Sequence, residues 1–325
     1  MNILVTGGAG YIGSHTCKAL ADAGHKPIVI DNMSYGHEWA VQWGPLHKTD
    51  ILDQKKVEEI LKSEKIEAVI HFAAFTYVGE SVQNPLKYYH NNVIGTLSVL
   101  GAMKNANVSK IVFSSTCAVY GIPARGPLEE NFPKNPISPY GQSKLISEKI
   151  LEDFGKAFGI KSVCLRYFNA AGADASGKIG EDHDPETHLI PLTLQAAFFP
   201  ERGLVVMGED YPTNDGTCIR DYIHVTDLAS AHVKALEYLE STKHLQSAFN
   251  IGTGFGVSVK EVIEITEKIL KRKVSFRTGE RREGDPPELV AKSSKAQKDL
   301  NWTADHSRIE NIISTAANWY QKHHV

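Results

Sequence analysis

The first thirteen residues constrain this chain more than any others. Ile3-Leu4-Val5 is a short β-prone run that feeds Gly7-x-x-Gly10-x-x-Gly13, and a helical pattern follows through Leu20 and Ala23. Strand, glycine turn and helix in that order specify the first βα unit of a parallel sheet. The glycines permit a tight turn and let the main chain approach a pyrophosphate at the positive end of the helix. Glycine spacing alone is a weak signal. It gains weight from Pro27-Ile28-Val29-Ile30-Asp31, a second β-prone run ending in an acid where a carboxylate would bond the adenosine ribose hydroxyls. Asn32-Met33-Ser34 follow without an arginine to neutralise a 2′-phosphate, so NAD is expected in preference to NADP.

The alternation continues. Leu46 to Thr49, Ala68 to Phe72, Ile111 to Ser114 and Ser162 to Leu165 read as strands with amphipathic helices between them. The fold class is therefore α/β, a doubly wound parallel sheet covered on both faces, with its ligand outside the carboxyl ends of the strands. Asp50-Ile51, Phe72-Ala73-Ala74, Ser114-Ser115-Thr116 and Tyr167-Phe168-Asn169 all fall at those ends. From about residue 170 the pattern becomes less regular. Residues 1–170 are expected to form the cofactor domain, with 224–254 a candidate to return to it, and 171–325 a smaller α/β substrate-binding domain. Helices are expected over Val225 to Leu239, Ser258 to Leu270 and near Ser307 to His323, and strands at Ala248 to Ile251 and Val274 to Arg277.

Composition narrows the partners. With 42% hydrophobic residues over 325 positions the chain can bury a sizeable core, and its formal charge of -3 offers no basic field for nucleic acid or an anionic membrane. Cys17, Cys117, Cys164 and Cys218 lie far apart with no Cys-x-x-Cys pair, so no metal site and no disulfide framework are expected, and a reducing cytoplasm fits. No apolar run is long enough to span a bilayer, and no leader precedes the first strand, so a soluble cytosolic protein is expected.

Proton transfer is the remaining chemical requirement. Ser138-Pro139-Tyr140-Gly141-Gln142-Ser143-Lys144 begins with a helix-start signal, and Leu145, Ile146, Ile150, Leu151 and Phe154 continue an apolar helical period. Tyr140 and Lys144 thus share one helix face about a turn apart. A free tyrosine, with a pKa of about 10, is a poor base near neutrality; a fixed ammonium nearby favours the phenolate and makes it usable. Tyr-x-x-x-Lys also occurs by chance, so its weight comes from the dinucleotide loop that accompanies it.

Taken together, Gly7-x-x-Gly10-x-x-Gly13, Asp31, Asp50-Ile51, Thr116 with Tyr140-x-x-x-Lys144, and Arg220-Asp221-Tyr222-Ile223-His224-Val225 resemble the extended short-chain dehydrogenase/reductase family over essentially the whole chain. Arg166-Tyr167-Phe168-Asn169, Phe249 to Gly254 and Arg281 to Asp285 look most like its members that epimerise UDP-sugars at C4. The resemblance implies a Rossmann-type fold, tightly held NAD, a UDP-sugar substrate and a homodimer. It implies catalysis by Tyr140, Lys144 and Thr116, with Tyr140 deprotonating the sugar 4-hydroxyl while hydride leaves C4, and hydride returning to the opposite face of the keto sugar. Interconversion of UDP-galactose and UDP-glucose is the expected reaction. Epimerisation of UDP-N-acetylhexosamine or UDP-glucuronate is the alternative, and a non-catalytic NAD-binding sensor on the same fold a second one.

The same resemblance assigns cofactor contacts to Gly7, Gly10, Tyr11, Ile12, Gly13, Asp31, Asn32, Asp50, Ile51, Phe72, Ala73, Ala74, Asn91, Thr116, Tyr140, Lys144 and Tyr167. It assigns substrate contacts to Thr116, Tyr140, Asn169, His188, Leu189, Arg220, Arg282 and Asp285. Related dehydratases and decarboxylases carry an acid two positions after the catalytic Ser/Thr. Ala118 stands there in this chain, so a keto intermediate lacks the acid needed to expel a leaving group. Cys117 reads as strand-end packing. Thr76 replaces a frequent lysine, His188 a frequent asparagine, and Leu289 occupies a position that sets how large a C2 substituent the sugar pocket accepts.

Overall fold

The computed structural model describes residues 1–325 except 124–125 and 282–284. Seven strands form one sheet: β1 (Asn2–Thr6), β2 (Lys26–Asp31), β3 (Leu46–Lys48), β4 (Ala68–His71), β5 (Lys110–Thr116), β6 (Lys161–Tyr167) and β7 (Gln246–Ile251). All are parallel, in the spatial order β7-β6-β5-β4-β1-β2-β3. The chain starts in the middle, runs outward through β2 and β3, then crosses back to β4. The switch point between β1 and β4 therefore opens a crevice at the strands' carboxyl ends, where an α/β sheet accepts its ligand.

Side-chain alternation along the strands explains the two layers of helices. Ile3 and Val5 of β1 face one core with Cys17 and Leu20 of α1 (Tyr11–Asp22). Leu4, between them, faces another core with Val57, Ile60 and Leu61 of α2 (Gln54–Ser63), Val99 and Met103 of α3 (Gly95–Asn105), and Leu151 of α4 (Pro139–Phe158). The helix α5 (Val225–Ser241) joins α1 on the first face through Leu228, Ala235 and Leu236. A strand covered on both faces must be apolar throughout, as β1 is.

Beyond β6 the chain builds a smaller layer around the strand Ile219–His224. Gly256–Ser258 pairs with it antiparallel, and Glu288–Leu289 and Asn169–Ala171 pair with it parallel. Leu204–Met207 pairs separately with Phe276–Gly279, two residues beyond the stretch the sequence favoured. The helix Val259–Leu270 starts at a Ser258–Glu261 capping box, and the closing helix runs over Ile309–His324. Asp221 ties the layer together: fully buried, its carboxylate accepts from Thr253 N (2.9 Å), Thr253 Oγ1 (2.7 Å), Gly254 N (3.0 Å) and Ala291 N (3.1 Å).

One buried ion pair locks α4 to the sheet. Arg166 of β6 donates from Nε and Nη2 to the Glu148 carboxylate at 2.9 and 2.6 Å, and Ser115 Oγ of β5 donates to it at 2.6 Å. Arg166 Nη1 also donates to the Tyr120 hydroxyl (3.0 Å), which donates to Asn250 Oδ1 of β7 (2.7 Å). Removing one partner of such a pair strands the other charge, at a cost of about 3–5 kcal/mol. Arg166→Met is expected to lower stability by that amount in equilibrium denaturation, and a loss under about 1 kcal/mol would mean that the pair is dispensable.

Candidate active site

The glycine loop occupies the switch point because nothing larger fits there. Gly7 has φ +70°, and a Cβ built on it would lie 2.7 Å from Ala73 N in the segment after β4. A Cβ on Gly13 would lie 2.2 Å from the Gly7 carbonyl oxygen, so α1 packs directly onto the turn. Gly10 is the N-cap of α1 and brings no side chain to cap it, leaving the first N–H groups of the helix, beginning with Tyr11 and Ile12, for a bound anion. Both features fit a dinucleotide pyrophosphate. Asp31, at the end of β2, accepts from Ala9 N (3.1 Å) and Met33 N (2.9 Å). Burial raises its pKa despite these bonds, and a carboxylate here suits ribose hydroxyls and repels a 2′-phosphate.

Around that end, Asn32 Nδ2 donates to Asp50 Oδ2 (2.9 Å), and Asp50 Oδ1 accepts from Leu52 N (2.9 Å). Ile51 follows in the same turn. Its side chain is buried in the core against Gly95, so only its main chain remains for a ligand. Phe72 N and Ala73 N both reach the Thr6 carbonyl (3.0 and 3.1 Å), which sets Phe72, Ala73 and Ala74 opposite the glycine loop. The Phe72 ring packs 4.6 Å from the His232 ring, and the Tyr11 hydroxyl donates to the Gly172 carbonyl (2.6 Å).

The residues expected to transfer the proton sit at the end of β5 and the start of α4. Ser138 caps α4, accepting from Gly141 N (3.2 Å), with Pro139 in the first turn, so Tyr140 is held at the helix end that faces the crevice. The residue is only 8% exposed, and burial raises the phenol pKa well above its ordinary value; a hydrogen bond from Thr116 opposes the rise. Thr116 Oγ1 accepts from Ala118 N (3.2 Å), which leaves its proton free to donate to the phenol oxygen.

Lys144 is buried one turn of α4 beyond Tyr140. Its Nζ donates to the Ser114 carbonyl (2.8 Å) and lies 4.9 Å from the Phe113 ring centroid. Burial lowers its pKa to about 7. Tyr167, aligned with Thr116 across β5 and β6, is hydrogen-bonded through its hydroxyl to Ser114 Oγ, and burial pushes its pKa up to about 12.

The expected substrate residues divide into groups. Arg220 is buried and forms an ion pair with Asp285 (Nη2 to Oδ1, 2.5 Å), so residues 65 apart in sequence meet as one unit. Asn169 opens the short strand beside Tyr222, and Leu289 pairs in register with Arg220. His188 and Leu189 lie at the start of the helix Leu189–Phe198. Burial opposes charge on His188, yet Glu181 and Glu186, each 2.9 Å from its Nδ1, lift its pKa to about 10. Arg282 lies outside the described residues.

The model of the NAD dependent epimerase/dehydratase family matches residues 3–252, more than half of the chain. The chain belongs to this family. A UDP-glucose 4-epimerase of Rhizobium meliloti (strain 1021) is 51% identical over 322 residues, covering 99% of this chain and 97% of that protein. The crystal structure of UDP-glucose 4-epimerase from Brucella ovis in complex with NAD superposes with a TM-score of 0.95 at 51% identity, covering 97% of both chains. That of the Bifidobacterium longum UDP-glucose 4-epimerase in complex with NAD+ and UDP has a TM-score of 0.94 at 39% identity, covering 99% of both.

Asn92, beside Asn91 and not singled out in the sequence, is the centre of a local hydrogen-bond network. Asn91 Nδ2 donates to Asn92 Oδ1 (3.0 Å), which also accepts from Phe75 N (2.9 Å), while Asn92 Nδ2 donates to the Phe75 carbonyl (3.0 Å) and Ser143 Oγ (3.1 Å). The residue joins the segment after β4 to the turn of α4 that carries Tyr140 and Lys144. It lies in a π-type turn, Tyr89–Ile94, which only the folded backbone reveals, and such turns collect at functional sites. Gly13→Ala is expected to displace α1 from the loop and to lower the NAD content of the purified protein at least about tenfold, on the scale of the roughly 1–3 kcal/mol typical of overpacking. Wild-type NAD content would mean that the loop does not carry the cofactor.

Proposed function

We propose that this protein inverts C4 of UDP-hexoses, interconverting UDP-galactose and UDP-glucose with NAD as its cofactor. The observation that carries the reading is the buried Tyr140 phenol, hydrogen-bonded to Thr116 at the carboxyl end of β5, on the crevice that the glycine loop borders. When bound, NAD takes a hydride from sugar C4 and gives one back, and its oxidised, cationic ring favours phenolate. Tyr140 takes the proton of the 4-hydroxyl as the keto sugar forms and returns it afterwards. Thr116, whose own lone pair is occupied by Ala118 N–H, donates to the reacting oxygen or the phenolate. Lys144 holds the cofactor ribose from its buried position beside Ser114. Ala118 supplies no acid, so the intermediate persists until it is reduced.

On the substrate side, Arg220 would bind the diphosphate, its guanidinium already oriented by Asp285, and Asn169, His188, Leu189 and Arg282 would complete the nucleotide pocket. Residues beyond 170, apart from 224–254, would form the substrate-binding portion. A proton NMR time course with UDP-galactose and no added nucleotide tests the reading. Conversion to UDP-glucose supports it, and unchanged anomeric signals after NAD addition would overturn it. Tyr140→Phe is expected to retain NAD and lose at least about a hundredfold in kcat, the range of general base catalysis. In the wild type, kcat is expected to rise with pH from the acidic side, because the buried phenol must ionise to act; a profile flat through that range would exclude Tyr140 as the base.

A second reading has UDP-N-acetylhexosamines accepted as well. Leu289, partly buried against the cluster that contains Cys117, Leu145 and Phe168 and in register with Arg220, favours it as a side chain smaller than tyrosine at the position that the family resemblance assigns to the sugar pocket. Leu289→Tyr is expected to lower turnover of the acetylated substrate and spare UDP-galactose; equal loss of both would sink this reading.

The chain is further proposed to act as a cytoplasmic homodimer. Val82, Leu86, Ile94 and Leu97 form an exposed apolar run from the segment before α3 into its first turn, and among the described residues no helix is long and apolar enough to cross a membrane. Leu86→Glu with Leu97→Glu is expected to convert a sedimenting dimer to monomer. A wild-type monomer, or an unaltered dimer, would remove this surface from the assembly.

A further inference from the structure

The segment between Gly172 and Leu189 carries Glu181, His183, Glu186 and His188, whose ligand atoms all lie within 4.8 Å of one another. His183 Nδ1 is 3.3 Å from Glu181 Oε1 and 3.7 Å from Glu186 Oε2, and His188 Nδ1 is 2.9 Å from Glu181 Oε1 and from Glu186 Oε1. Zinc bonds of about 2.0–2.2 Å place neighbouring ligand atoms of a tetrahedron roughly 3.3–3.6 Å apart. The observed separations straddle that edge length, so convergence on one cation needs only small side-chain shifts. The buried His183 Nδ1 lies within ion-pair distance of both carboxylates yet makes no well-formed hydrogen bond to either, and buried polar atoms are seldom left so.

The surrounding contacts hold the segment before any cation arrives. Tyr11 donates to the Gly172 carbonyl (2.6 Å), Tyr77 to the Pro185 carbonyl (2.9 Å), and Trp319 Nε1 to the Glu181 carbonyl (3.1 Å). Glu186 Oε1 also accepts from Thr187 N and His188 N, at 2.7 and 2.8 Å, which orients its carboxylate. Preformed ligands reduce the ordering cost that a metal must otherwise overcome. Two imidazoles and two carboxylates suit a borderline divalent ion rather than magnesium or calcium, which prefer oxygen alone. Two carboxylates also balance the charge of one dication.

We propose that Glu181, His183, Glu186 and His188 form a structural zinc site that pins the segment between Gly172 and Leu189 beside the glycine loop. It is a closed, four-ligand site, and coordination of His188 through Nδ1 leaves its Nε2 available to another group. The absence of paired cysteines, on which the expectation of no metal rested, says nothing about a Glu/His set.

The test uses the full-length protein, as purified with its NAD and freed of metal with a chelator. Zinc titrated calorimetrically is expected to bind at one equivalent, and cobalt in its place to give the intense visible bands of tetrahedral coordination. His183→Ala should weaken zinc binding at least about a hundredfold, beyond what loss of an outer-shell partner costs, and abolish the zinc-dependent rise in Tm. His188→Ala, altered at a side chain 44% exposed, should do the same, so the result does not hang on one variant folding. Replacing His323 and His324 with alanine should leave binding intact. Absence of stoichiometric binding to the wild type would leave a purely ion-paired cluster and overturn the proposal. So would binding unchanged by both ligand variants, or octahedral cobalt spectra.

Discussion

A parallel sheet has no face it can leave to water, and everything else in this structure follows from that constraint. Its strands are joined by crossovers that must themselves cover the sheet, so α1 and α5 close one face and α2, α3 and α4 the other. With both faces sealed, only the strand ends remain for chemistry. The amino ends receive the chain from the helices, and the carboxyl ends release it into loops. Thr6, Asp31, His71, Thr116 and Tyr167 all terminate strands on this rim. The glycine loop then exploits the one gap, between β1 and β4, that the reversal of strand order leaves open.

Placing titratable groups on such a rim forces them partly into the core, which works against their ionisation. Tyr140 and Lys144 are both buried, and burial alone pushes the phenol towards its neutral form and the amine towards its neutral form as well. The structure counters with hydrogen bonds rather than with a direct ion pair. Thr116 stabilises ionised Tyr140, and the Ser114 carbonyl receives the lysine. The phenol nonetheless stays in its neutral form, and positive charge arriving next to it would lower its pKa.

The buried charges away from the site serve another purpose. Glu148 and Arg166 satisfy each other and recruit Ser115, Tyr120 and, through Tyr120, Asn250, so α4 is bolted to β5, β6 and β7 together. Asp221 does the same for the smaller layer by accepting four hydrogen bonds from two distant loops. These anchors hold Tyr140 and Arg220 in one frame although they come from different layers. Asn92 adds a third anchor, between the segment after β4 and α4.

Local chemistry was sufficient for what depends on local chemistry. The glycine turn, Asp31 closing β2, the Ser138-Pro139 start of α4 and the long apolar strands were legible in the sequence because each is specified by residues a few positions apart. The short strands Asn169–Ala171, Gly256–Ser258 and Glu288–Leu289 were not, since three or fewer residues carry no period and exist only by pairing with Ile219–His224. The meeting of Arg220 with Asp285, the turn of Lys144 towards Ser114, and the convergence of Glu181, His183, Glu186 and His188 were likewise decided in three dimensions. Side-chain direction and partner choice depend on which segments the packed sheet brings within a few ångströms, and residue order does not encode that distance.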